Sequence, residues 1–147
     1  MSSSSMSSPS SSLPSTPRPP ALGSAVWLRR ALWIDVLFSG VAGVAMGAGH
    51  TLLAPVLGLP EGLLTGAALV CLAWATVLGA LARQPQIARP LVWGVVLGNA
   101  VWVATSVALL AFGWVQPSGL GTAFVVAQAV AVGVFAELQW WAMRRAG

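Results

Sequence analysis

The sequence predicts an all-α fold: a bundle of four transmembrane helices behind a disordered Ser/Pro-rich N-terminal tail. Three observations carry that expectation. Hydrophobic residues make up 57% of the 147 and charged residues only 7%, against roughly 25% charged in a typical soluble domain. The mean hydropathy is +0.84. Divided at its turn residues, the chain also places every Arg on one side of a four-span arrangement.

The same composition narrows the function classes. Three carboxylates, one His and one Cys leave little material for enzyme chemistry. A soluble enzyme, a disulfide-stapled secreted domain and a zinc module are all poor fits, and neither a cofactor nor a resident metal is expected. The net charge of +4 and pI near 11.6 first suggest a nucleic-acid partner. Yet the seven basic residues (Arg18, Arg29, Arg30, Arg83, Arg89, Arg144 and Arg145) are short clusters between apolar stretches, with no stripe to track phosphates. No nucleic acid is expected. Cys71 is alone, within an apolar run, and reads as a small buried side chain.

Residues 1–28 are expected to form the tail. Eleven of the first 24 are Ser and five are Pro, so the segment has almost nothing apolar to bury. It does not read as a secretory signal, because no basic residue precedes an apolar core. The transmembrane domain is expected over 29–147.

A bilayer requires about 20 apolar residues per helix. The first span is expected over about 32–49, followed by a connector at 51–59 that holds Pro55. The second is expected over 62–82, which carries no charge. From Pro90 to Ala136 there are 47 uncharged residues, too many for one helix. Gln116-Pro117-Ser118-Gly119 divides them, since Pro and Gly interrupt helices. The third and fourth spans are therefore expected over 91–114 and 120–143.

All seven Arg then fall at the N-terminal flank, the second connection and the C-terminus, while the other two connections hold only His50 and Glu61. The positive-inside rule predicts both termini in the cytoplasm, with a bacterial inner membrane the expected location. Trp27, Trp33, Trp93, Trp140 and Trp141 near one side and Trp114 near the other fit an interfacial belt. Trp74 and Trp102 are mid-span, where packing explains them.

Helices in lipid associate through small residues and buried polar contacts. Gly40, Gly43 and Gly47 share one face of span one. Gly62-x-x-x-Gly66, Gly94-x-x-x-Gly98 and the pair Ala129 and Gly133 offer similar surfaces. They serve either internal packing, which is the expectation, or a homo-oligomer or membrane-protein partner.

Ionisable and amide groups inside spans are the candidate sites. Asp35, Ser39, Met46 and His50 share a face of span one, at offsets of 4, 11 and 15 residues. Asp35 lies near Arg30, and Glu137 near Arg144, so each carboxylate is expected to pair with a folded-back Arg. The alternative is a carboxylate pair in a wet, cytoplasm-facing cavity. His50 is placed to meet Glu61 and lacks further ligands for a metal. Asn99 and Gln128 approach the midplane and are expected to bond to each other.

Asp35-x-x-x-Ser39-Gly40, Leu57-Gly58-Leu59-Pro60, Gly98-Asn99-x-x-Trp102 and Glu137-Leu138-Gln139 cover most of the membrane part. In these the chain resembles a group of small, uncharacterised bacterial integral membrane proteins with four spans. The resemblance implies the fold and brings no activity. Two functional expectations stand. One is a structural or accessory component of the bilayer. The other is a small oligomeric transporter or channel for protons or cations that uses Asp35.

Overall fold

The computed structural model describes residues 22–145 of the chain. Among them every regular element is a helix: α1 (Leu22–Leu57), α2 (Glu61–Ala82), α3 (Arg89–Ala111) and α4 (Gly119–Arg145). Each is long and apolar enough to cross a membrane. The architecture is that of a multi-pass membrane protein.

Residues 1–21 of the expected tail lie outside the described residues, and 22–28 belong to the opening turns of α1. The helix extends this far back because Leu28 is buried against Ala82 and Met143, which gives the turn an apolar partner. The other end of α1 also differs from expectation. The stretch expected as a connector is helical through Pro55 to Leu57. Proline costs the last turn one backbone bond and crowds the preceding carbonyl. Ala54 and Leu57, buried with Leu59 and Leu64, hold that turn in place.

Gly58 ends α1 in a left-handed conformation, φ +63°. The Leu59 N–H then donates to the Ala54 carbonyl at 3.2 Å, which closes a Schellman turn. The turn between α3 and α4 docks onto this same end. The Ser118 N–H donates to the Leu57 carbonyl, and its hydroxyl donates to the Val56 carbonyl, each at 2.8 Å. The same hydroxyl accepts from the Gly121 N–H at 3.0 Å, so Ser118 also caps α4. Gly121 lies against the Leu57 carbonyl, where a side chain would collide.

Helix α1 packs along both α2 and α4, and α3 packs along α4. The backbones of α2 and α3 do not pack along their length, which leaves a cleft between them. Gly43 is the tightest point of the α1–α2 contact: a Cβ there would stand 2.8 Å from Leu72 Cγ and 3.1 Å from the Ala68 carbonyl. Gly47 faces Ala68 in the same seam. Internal packing thus accounts for Gly43 and Gly47.

Two apolar cores fill the bundle. One, at the Arg-bearing end, includes Leu28, Leu32, Leu78, Val92 and Met143. The other, toward the Arg-free end, includes Met46, Leu57, Leu64 and Cys71. Between them lies a polar layer.

Candidate functional site

The polar layer is centred on Asp35, which is 0% exposed. Each helix contributes one side chain or more to it. From α1, one turn on, the Ser39 hydroxyl donates to Asp35 Oδ1 at 3.1 Å. From α3, Asn99 Nδ2 donates to Asp35 Oδ2 at 2.9 Å. From α4, Gln139 Nε2 donates to the same oxygen at 2.9 Å. Asn99 Nδ2 has a second hydrogen, which goes to Gln139 Oε1 at 3.2 Å. From α2, Trp74 Nε1 donates to Asn99 Oδ1 at 3.1 Å.

Close backbone geometry positions these groups. A Cβ on Gly98 would overlap the six-membered part of the Trp74 indole. Glycine therefore leaves room for the ring against α3, with its N–H donating to Asn99. Asn99 and Gln139 are 2% and 0% exposed, so neither amide has water to fall back on. The node joins four helices through five side chains.

The ion pair expected between Asp35 and Arg30 is absent. Arg29 instead donates to the carbonyls of Ala82 and Gln84, satisfying the end of α2 as a cation at a helix C-terminus does. Arg30 lies over Trp27, Arg83 over Trp33, Arg144 over Trp140 and Arg145 over Trp141, at 3.9 to 5.6 Å from the ring centroids. An Arg fixed on a neighbouring carbonyl or an interfacial ring is not free to reach inward. Glu137 is likewise without its expected Arg144. It is exposed on the outside of α4, because two residues along a helix turn it about 200° away from inward-facing Gln139. Asp35 and Glu137 therefore do not share a cavity.

The expected bond between Asn99 and Gln128 is also absent. Gln128 and Gln139 are 11 residues apart, hence about 20° apart around α4 and about 16 Å apart along it. Both point inward, and Asn99 is level with Gln139. The hydrogen-bond partner of Gln128 is Met46, with Nε2 3.8 Å from the thioether sulfur. The inward face of α1 is as expected for three of its members: Asp35, Ser39 and Met46 are all buried. His50 is half-buried near the Arg-free end, where its Nδ1 stands 3.7 Å from Glu61 Oε2. That is an ion-pair distance, too long for a hydrogen bond.

Gln139 and Trp74 belong to the node yet are not among the residues singled out from the sequence. The available signal for Gln139 was its shared face with Gln128. Trp74 is distinguished only by its mid-span position.

Ser39 and Asn99 also line a cavity of about 480 Å³ in the α2–α3 cleft, together with Cys71, Trp74, Trp102 and Gln128. Asp35 sits immediately behind this wall. Cys71, on α2, is the titratable side chain on this wall among the described residues. No cation touches the carboxylate among the described residues. The Ser39 hydroxyl can rotate, so it can donate to a carboxylate or accept from a carboxylic acid. The node reaches the cavity through Ser39 and Asn99.

No family model, curated protein or solved structure matches this chain.

Proposed function

We propose that this multi-pass membrane protein is a small proton-coupled carrier in which Asp35 gains and loses a proton. One observation supports this above the others: Asp35 is fully enclosed, receives three hydrogen bonds and has no cation in contact. A charge at such depth costs several kcal/mol. An Asn would supply similar packing without that cost. A carboxylate there is best explained by its proton.

The reading is of a transport protein and not an enzyme, without cofactor or nucleic-acid partner, working in the lipid bilayer alone or as an oligomer. All described Arg residues sit at helix ends or, for Arg29 and Arg30, about two turns into α1, in parts that the fold brings to one side of the bundle. By the positive-inside rule that side is cytoplasmic, as in a bacterial inner membrane. A second reading, a structural or accessory membrane component, is favoured by the way the node ties four helices together.

Reconstitution separates the two. Asp35→Asn in vesicles keeps the shape of the side chain and removes the ionisable group. The carrier reading expects pH-driven flux in the parent protein and none in the variant, with the fold intact. Equal flux in both removes Asp35 from the path, and none in either beyond empty vesicles favours the structural reading.

A further inference from the structure

The cleft between α2 and α3 holds two adjoining cavities, of about 480 and 260 Å³, which share Trp102, Thr105 and Gln128 on their walls. The combined space lies in the range of small-molecule sites, apolar with a few placed polar groups. Val70 and Val101, 55% and 64% exposed, stand at the rim of the larger cavity. They face outward from the bundle, so the opening is sideways, toward lipid.

Three polar groups line it without adequate partners: Gln128, the exposed Thr105, and the Trp102 indole, whose buried Nε1 has no hydrogen-bond partner among the described residues. Gln128 is nine-tenths buried, and one end of its amide rests only on the Met46 thioether. The other end has no partner among the described residues. Thr65, Thr76 and Ser106 each donate to the carbonyl one turn back. Thr105, on the cleft wall, makes no such bond. An acyl chain would fill the volume and leave the buried Gln128 amide unpaired, at a cost of about 1–3 kcal/mol. Trp74, Trp102 and Phe38 line the larger cavity with aromatic rings, against which another ring can pack.

We infer that the cleft binds a lipid-soluble ring compound carrying one hydroxyl or carbonyl group, which enters sideways from the bilayer and bonds to Gln128 and Thr105. This names the class of cargo and rests on the carrier reading for its coupling to Asp35. Ser39 and Asn99 touch both the cavity and the carboxylate, so the cargo would lie against the node.

The test uses the full chain in detergent with two probes, 9-anthracenemethanol and 9-methylanthracene, which differ in one hydroxyl. Energy transfer from Trp to anthracene reports occupancy. We expect saturable transfer from the alcohol, severalfold tighter than from the methyl compound, with that preference abolished in Gln128→Leu. Thr105→Trp, which fills the cleft and keeps Gln128 in the sequence, should abolish saturation for both probes. Asp35→Asn should still bind the alcohol, and saturable binding in a parent protein that shows no pH-driven flux counts against the carrier reading alone. Non-saturable partition of both probes, or equal affinity for the two in the parent protein, would overturn the site. Saturation unchanged in Thr105→Trp would place the binding elsewhere and overturn it as well.

Discussion

Asn99 and Asp35, 64 residues apart in sequence, meet at 2.9 Å with neither side chain open to solvent. Through the second hydrogen of the same amide nitrogen, Asn99 also holds Gln139. Its carbonyl receives Trp74. One amide therefore satisfies partners on three other helices.

Asn99→Leu should be the most damaging conservative change in the bundle. It strands the Trp74 N–H and removes one donor from Asp35, with Leu close to Asn in size. The expected loss is about 2–3 kcal/mol, above the roughly 0.6 kcal/mol average for one interhelical bond because the partners are left buried and unpaired. Unfolding in a mixed-detergent titration measures it. A loss no larger than that of a lipid-facing control such as Val101→Ala would remove the node as a stabilising feature.

Gly98→Ala should displace Trp74, since the new methyl group would occupy the space of the indole ring. We expect a loss of about 1–3 kcal/mol, typical of overpacking. A second substitution, Trp74→Phe, should lessen the effect by shrinking the ring. A double-mutant cycle checks this, and additive losses would mean the two residues do not meet.

Ser118→Ala should loosen two helices together. The hydroxyl caps α4 and also bonds to the end of α1, so about 1–2 kcal/mol is expected, near the upper part of the range for cap deletions. Hydrogen exchange should show faster opening of both the first turn of α4 and the last turn of α1. Faster exchange in α4 alone would show that the bond to Val56 contributes nothing.

Reporter fusions test the sidedness. Insertions after Gln86 should read cytoplasmic and those after Pro60 external. A cytoplasmic reading after Pro60 would reverse the assignment of the Arg-bearing end.

Spans and their partition were legible because length, hydropathy and Arg placement are local properties of the chain. The inward face of α1 was legible for the same reason: Asp35, Ser39 and Met46 follow from 100° per residue. What escaped was depth. Gln128 and Gln139 are equivalent by angle, and only the axial offset between α3 and α4 decides which one meets Asn99. The Arg partners escaped because Trp rings and carbonyl ends compete with carboxylates for guanidinium groups. Sequence proximity of Arg30 to Asp35 says nothing about which of them wins. Pro55 misled through a local rule that tertiary packing of Ala54 and Leu57 overrides.

The central claim is that Asp35 exchanges a proton inside the folded bundle, and infrared difference spectroscopy addresses it most directly. Protein in lipid is cycled between mildly acidic and mildly alkaline buffer while the carboxylic acid C=O band is followed. The account predicts a reversible band at the frequency of a hydrogen-bonded, buried acid. That band should be absent in Asp35→Asn and retained in Glu137→Gln. A band that survives Asp35→Asn, or no change in that region across the cycle, would contradict it.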